Sequence, residues 1–457
     1  MAAHARYLEH VERLTAAIAA GELASGARLP PQREYADAHG LATSTVTRVY
    51  AELARRGLAV GEVGRGTFVR SPAVGAAAAF AQWAPAPGAV GGVDLAFNYP
   101  VLPEQTDVFR QALRETAAGG DLNALLAHAP HDGHPADRRA AAQWLSRRDG
   151  AAVSPEALVV CAGGQHALDV VQLALCRAGE PVGVEALTYP GWKALAALRD
   201  IPLVALGMAP GGSGIDPSAL DRLCRTHAGR LRVVYTMPTL HNPLGDVMPL
   251  EQRQALVAVA RRHDLLLVED SAYGFLVADA PPPLRTLAPE RTFEVCSLSK
   301  PAAPGLRIAY LIAPPDFAPR VHAAMRASVW SAAPLMAQLA SRWLGDGTLD
   351  GWIARKREMA ARRQAIARVC LDGLGSTGYA GAFHRLLPVP AHVRCDDVVA
   401  ALHARGIAIT PVDAFAAPGQ AAPAALRIAF GSPASDAALE AALRQVAEVM
   451  RSLAQAR

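Results

Sequence analysis

Apolar residues recur along this chain in two rhythms, and the change between them divides it. Leu8, Val11, Leu14 and Ile18 fall three or four positions apart, so they share one face of a helix that Gly21 ends. Pro31 suits the first turn of a second helix running to Gly40, since proline has no N–H to leave unpaired there. A third helix is predicted over Ser44–Arg56, with Val46, Tyr50 and Leu53 inward and Gly57 as its stop. Leu58–Val63 and Thr67–Arg70 then read as two strands joined by the tight turn Gly64-Arg65-Gly66. Three helices and a β-ribbon make a winged helix-turn-helix over residues 1–70.

Residues 71–92 lose both rhythms and are rich in Ala, Pro and Gly, as a linker is. From 93 to 457 short apolar runs alternate with helical stretches. The runs are Leu158–Cys161, Pro181–Val184, Leu203–Leu206, Leu231–Tyr235, Leu265–Val268, Phe293–Ser297 and Arg307–Ile312. Helices at 165–178, 190–199, 216–228 and 249–263 separate most of them. That order predicts an α/β domain built on a mostly parallel sheet. After about 383 a strand near 385–389, a helix at 396–405, a strand at 426–430 and a helix at 435–453 predict a smaller α+β lobe.

Composition narrows the class. No charge-free apolar run of about 18 residues is present, so a membrane-spanning helix is not expected. His4, Arg6, Glu9, Glu12 and Arg13 stand where an export signal would be apolar, and the six cysteines lack C-x-x-C spacing. A cytoplasmic protein with reduced thiols and no metal centre is expected. The net charge of +4 is too small to argue for nucleic acid by itself.

Charge placement is more telling in the head. In a helix-turn-helix the second helix of the pair enters the major groove by its N-terminal end. Here that end is Thr43-Ser44-Thr45-Val46-Thr47-Arg48, whose hydroxyls and guanidinium suit phosphates and base edges. Arg33 and the wing residue Arg65 add positive charge. Residues 1–70 hold 9 Arg against 7 Asp/Glu, a net of +2, so composition alone favours a small helical bundle with solvated arginines. Any DNA contact would then depend on where the charges sit and on pairing of two heads.

The segment Gly21-Glu22-Leu23-Ala24-Ser25-Gly26-Ala27-Arg28-Leu29-Pro30-Pro31-Gln32-Arg33 resembles the start of GntR-family regulators. The likeness continues through Ala36, Gly40, Thr45-Val46, Arg48, Tyr50, Leu53 and Gly64-Arg65-Gly66-Thr67-Phe68-Val69. It implies a DNA-binding head.

Lysine usage picks out the chemistry of the rest. Of 45 basic residues only Lys193, Lys300 and Lys356 are lysine. Arginine stays protonated, whereas an amine with a lowered pKa attacks a carbonyl and forms a Schiff base. A lysine retained by chance on the surface is the plain alternative for Lys300, and its neighbours argue against it. Pyridoxal phosphate needs an amine for its aldehyde, an acid at the pyridine nitrogen, a donor at the ring hydroxyl, a phosphate cradle and a lid on the ring. Lys300 supplies the amine, and Asp270, closing a predicted strand, the acid. Tyr273 and Asn242 are the donors. Gly163, Gly164 and Gln165 open a helix, where free N–H groups and the helix dipole favour phosphate; Ser297, Ser299 and Arg307 add donors. Tyr189 would stack on the ring. Taken singly, each has an ordinary reading as a cap, a turn or a core aromatic.

Their order and spacing resemble fold-type I aminotransferases over most of residues 93–457. The motifs are Asn242-Pro243-Leu244-Gly245, Asp270-Ser271-Ala272-Tyr273 and Ser297-Leu298-Ser299-Lys300 followed by Pro304-Gly305-Leu306-Arg307, with Gly133 and Arg138 upstream. The resemblance implies that Arg427 grips a ligand carboxylate. Two departures stand out. Gly164 occupies a place where the family often has Ser or Thr, which costs a phosphate donor. Phe97-Asn98-Tyr99-Pro100 replaces a Gly-Pro turn that covers the substrate.

The two halves together resemble the MocR subfamily of regulators. This implies a homodimer paired head to tail, one chain's head over the other's large domain, binding two DNA half-sites in response to pyridoxal phosphate or an amino or keto compound. A working aminotransferase with an appended head, and a repressor whose large domain only dimerises, remain open readings.

Overall fold

In the computed structural model the described residues are 2–20, 22–23, 27–55, 58–62, 66–69, 92–209, 214–227 and 229–455. Arg65 and Gly64 of the wing turn, most of the 71–92 linker, and the glycine stops at 21 and 57 lie outside them.

The head has helices α1 (Ala2–Ala19), α2 (Gln32–His39) and α3 (Thr43–Arg55), then an antiparallel ribbon of β1 (Ala59–Glu62) and β2 (Gly66–Val69). Val11, Leu14 and Ile18 of α1 pack with Val46, Val49, Tyr50 and Leu53 of α3. Gly40 adopts the left-handed conformation (φ +59°) that ends α2 and frees the turn into α3. The Tyr50 hydroxyl donates to the Pro30 carbonyl at 2.7 Å, locking α3 to the segment before α2.

β3 (Val93–Asp94) opens the large unit but pairs in parallel with β12 (Ile407–Ala408) near the other end of the chain. The seven apolar runs become β4 (Leu158–Cys161), β5 (Val182–Glu185), β6 (Leu203–Leu206), β7 (Val233–Thr236), β8 (Leu266–Asp270), β9 (Thr292–Ser297) and β10 (Ala309–Ile312). They form one sheet in the order β4-β10-β9-β8-β7-β5-β6, parallel except for β10. Strands β4, β5, β7, β9 and β10 are buried along their whole length, as expected of a sheet covered on both faces. The smaller lobe pairs β11 (His384–Pro388) and β13 (Thr410–Pro411) with β14 (Ala425–Ala429), backed by helices Cys395–His403 and Asp436–Gln455. No helix among the described residues is long and apolar enough to cross a membrane, and no group of three metal-ligating side chains occurs among them.

This topology sets the site. β4, β5, β7, β8 and β9 point the same way, so their carboxyl ends release five loops along one edge. Asp270 ends β8 and the loops carry Gly163, Tyr189, Asn242 and Lys300, the arrangement that makes such an edge a ligand crevice.

Candidate functional site

Lys300 sits in the turn after β9 and points its amine at the carbonyl of Asn98. The Tyr99 ring lies 4.5 Å below the amine and the Tyr273 ring 5.9 Å away. Although the residue as a whole is only half-buried, its amine is enclosed. Burial, reinforced by the positive charge of Arg427, lowers its pKa to about 7, while Asp270 and Asp94 pull the other way. An amine at that value is substantially neutral at physiological pH, as a nucleophile must be.

Asp270 ends β8 and is buried. Its carboxylate accepts from the Tyr235 hydroxyl at 3.0 Å and from the Ala272 N–H at 3.0 Å. Burial raises its pKa to about 6, and those two donors with Lys300 restrain the rise, so it stays mostly ionised at neutral pH. Tyr235 is held in turn by stacking on Trp192, with ring centroids 4.5 Å apart.

Tyr273 accepts from Asn98 Nδ2 at 3.3 Å, and the same Asn98 accepts from the Gly431 N–H at 3.1 Å. Asp94 shapes this strand exit by accepting from the N–H groups of Ala96 and Phe97 at 2.8 and 2.9 Å. Phe97 and Tyr99 stack with centroids 5.6 Å apart, so the segment replacing the Gly-Pro turn forms an aromatic floor against Lys300.

Arg427, on β14, is buried. It donates to Asn242 Oδ1 at 3.1 Å, to the Ala96 carbonyl and to Thr410 Oγ1 at 3.4 Å, and it leans on the Phe415 ring. Its Nε is buried without a protein partner. A buried guanidinium with one nitrogen unsatisfied has the chemistry that suits a ligand carboxylate.

The predicted phosphate residues also converge. Gly163 takes φ +92° and precedes the helix Gly164–Leu175, whose first N–H groups have no helical partner. A Cβ on Gly163 would fall 2.8 Å from the Arg307 guanidinium, and one on Gly164 would fall 3.0 Å from Ser297 Cβ. Arg307 donates to the Ala162 carbonyl at 3.3 Å and remains exposed. Ser297 Oγ accepts from the Ser299 N–H at 3.2 Å. A Ser or Thr side chain at 164 would therefore be tight against Ser297, which would have to shift by a few tenths of an ångström to admit it. The Gln165 side-chain amide donates to the Gly191 carbonyl at 2.9 Å. Tyr189 is half-buried at the start of helix Pro190–Leu198, and burial raises its pKa.

The structure thus brings Lys300, Asp270, Tyr273, Asn242 and Arg427 together and sets Gly163, Gly164, Ser297 and Arg307 against one another, a donor set that fits pyridoxal phosphate, while Arg138 pairs with Asp132 at 3.1 Å. Reading the sequence missed Asn98 and Tyr99 as contacts of Lys300, Tyr235 as the partner of Asp270, and Thr410 beside Arg427. It also missed a buried support: Glu185 accepts from Thr236 Oγ1 at 2.5 Å and lies 3.4 Å from His241, whose carbonyl is 3.2 Å from His384 Nε2. Glu185 was visible as a carboxylate closing an apolar strand, the same signal that marked Asp270.

In the head, Thr43, Ser44, Thr47 and Arg48 of α3 are exposed, Thr45 is half-buried, and Arg33 on α2 is exposed. Thr47 donates to Gln32 Oε1 at 2.7 Å, and Arg48 stacks over the Tyr7 ring at 4.8 Å.

Residues 91–446 match the model of aminotransferase class I and II, and residues 6–69 match bacterial regulatory proteins of the gntR family. Curated relatives span both halves. The HTH-type transcriptional regulator TauR of Rhodobacter capsulatus is 27% identical over 96% of this chain and 95% of its own. The HTH-type pyridoxine biosynthesis transcriptional regulator PdxR of Corynebacterium glutamicum is 29% identical over 88% of this chain and 86% of its own. Among solved structures, the LysN α-aminoadipate aminotransferase of Thermus thermophilus, complexed with N-(5'-phosphopyridoxyl)-L-leucine, superposes with a TM-score of 0.71 at 23% identity. That match covers 80% of this chain and 93% of that one.

Proposed function

Because the chain belongs to the aminotransferase class I and II family and carries a GntR-family head, we propose that it is a pyridoxal-phosphate-dependent DNA-binding transcriptional regulator. Its large unit senses the cofactor, or an amino or keto compound that reacts with it, and works in the cytoplasm. One observation carries the reading: an enclosed amine at Lys300, with Asp270, Asn242 and Arg427 around it, shares a chain with an exposed recognition helix.

When bound, pyridoxal phosphate supplies an aldehyde for amines and a ring that accepts electrons. The chain's residues would divide the remaining work. Gly163, Gly164, Gln165, Ser297, Ser299 and Arg307 would hold the phosphate. Asp270, oriented by Tyr235, would hold negative charge for the ring nitrogen, and Tyr273 and Asn242 would donate at the ring hydroxyl. Tyr189 would lie against the ring. Lys300 gives up its proton at Nζ to bind covalently and takes one back on release. Arg427 grips a carboxylate and so selects the amino or keto compound.

Two such chains would pair head to tail, with the head of one lying over the large unit of the other. A ligand that binds one arrangement of heads better shifts the population towards it, and fixed half-site spacing converts that shift into altered DNA affinity. Enzymatic turnover is the second reading, favoured by the completeness of the site around Lys300. The deciding experiment mixes the cofactor-loaded protein with a panel of amino acids, amines and keto acids. A ligand that stalls on the protein and changes its affinity for its own upstream DNA supports the regulator. Many turnovers with no change in DNA binding overturn it in favour of the enzyme.

A further inference from the structure

We propose that Lys356 is a positioning residue for Lys300, its buried amine clasping the two backbone carbonyls that flank Pro301. The inference rests on the reading that Lys300 captures pyridoxal phosphate.

Lys300-Pro301-Ala302-Ala303-Pro304 contains two prolines, so the turn is poor in the N–H donors that usually satisfy neighbouring carbonyls. The Ala302 N–H is already spent on the Leu298 carbonyl at 2.9 Å. Side chains from elsewhere make up the deficit. Lys356, on the long helix Thr348–Cys370, donates to the Lys300 carbonyl at 2.9 Å and to the Ala302 carbonyl, and Gln105 donates to Ala302 at 2.8 Å. These bonds pin the backbone on the C-terminal side of Lys300, while the Asn98 carbonyl holds its amine.

Lys356 is 0% exposed, and among the described residues no carboxylate lies within ion-pair distance of it. The acid whose charge reaches it, Glu104, is paired with Arg355. A buried amine without a counter-ion is costly unless its hydrogen bonds are needed, and an apolar side chain would fill the space at less cost. Two N–H donors suffice for two carbonyls, so the clasp holds whether or not the amine is charged.

Lysine usage supports this. All three lysines donate to backbone carbonyls: Lys300 to Asn98, Lys356 to Lys300 and Ala302, and Lys193 to Ala414 and Ala416 at 2.9 and 2.6 Å.

In the capture step the neutral Lys300 amine forms a C=N bond to the aldehyde carbon and the aldehyde oxygen leaves as water. A positioning role predicts that this step suffers while non-covalent binding does not. The test uses the full-length protein and two probes: pyridoxal phosphate, scored by its visible band and by borohydride-fixed mass, and pyridoxamine phosphate, which has no aldehyde, scored by fluorescence quenching. In Lys356→Met the rate of pyridoxal phosphate capture should fall about tenfold or more, with pyridoxamine phosphate affinity within about twofold of wild type. Lys356→Gln, one bond too short to bridge both carbonyls, should lose about threefold, and it decides the matter if the methionine variant does not fold. Unchanged capture in the folded variant overturns the clasp, as does a parallel loss with both probes, which would mark Lys356 as merely structural. Absence of capture in the wild-type protein overturns the reading of Lys300 itself.

Discussion

The guanidinium of Arg427 donates to the Asn242 amide oxygen at 3.1 Å, joining the smaller lobe to the loop after β7. Arg427 is fixed by the Ala96 carbonyl and Thr410 as well, so it is held in place before any ligand arrives. Preorganised charge is what distinguishes a carboxylate from an uncharged group. Arg427→Met should weaken a carboxylate-bearing amino compound by about 30-fold or more, from roughly 2–5 kcal/mol for a truncated buried charge contact. The same compound without its carboxylate should bind with nearly unchanged affinity. Titration of both compounds against wild type and variant checks this, and equal losses for the two would contradict it.

Lys300 should capture pyridoxal phosphate with a pH midpoint near 7 in place of the 10.5 of an ordinary lysine. The neutral amine reacts, so capture slows as pH falls below the midpoint and levels off above it. Burial is the larger cause of the shift and Arg427 the second. Arg427→Met should therefore move the midpoint upward without restoring 10.5, and Lys300→Ala should abolish the visible band. Stopped-flow absorbance from about pH 6 to about pH 9 would show no midpoint in that window if the enclosure were unimportant.

Gly164→Ser tests the phosphate cradle. Adding a hydroxyl donor would seem to help, but its Cβ would meet Ser297 Cβ at 3.0 Å. Overpacking of this kind costs roughly 1–3 kcal/mol, so pyridoxal phosphate affinity should fall about fivefold or more. Gly164→Ser combined with Ser297→Gly, which removes that Cβ, should regain part of it, short of what the Ser297 donor supplied, whereas Ser297→Ala keeps the Cβ and should regain less. Equilibrium titration of the single and double variants checks the order, and tighter binding by the single variant would refute the steric account.

Arg48 leans over Tyr7 on α1 yet remains exposed. Arg48→Ala should weaken specific operator binding by about tenfold, corresponding to roughly 1–3 kcal/mol for a base or phosphate contact. Ser44→Ala, on the same face of α3, should cost less. Measuring affinity at several salt concentrations separates the two kinds of contact, because a lost phosphate contact lowers the salt slope by about one. Unchanged affinity in Arg48→Ala would remove it from the DNA interface.

Much of this protein is legible from its residue order, for local reasons. Helical spacing of Val11, Leu14 and Ile18 encodes a head helix because one face is buried, and continuous apolar runs such as Leu158–Cys161 encode strands because both faces are buried. Lys300, Asp270, Asn242 and Gly163 are legible because each chemical role admits few residue types, and each stands at or just after the end of a strand. Tertiary structure decided what depends on distant segments meeting. β3 pairs with β12 because the chain returns to Val93 only at Ile407. Asn98 and Tyr99 reach Lys300 through that pairing, Tyr235 reaches Asp270 across adjacent strands, and Lys356 reaches the Lys300 carbonyl from a helix that local spacing gives no reason to place there. Periodicity records which face of an element is buried, whereas the neighbour it is buried against is chosen by packing of the whole chain.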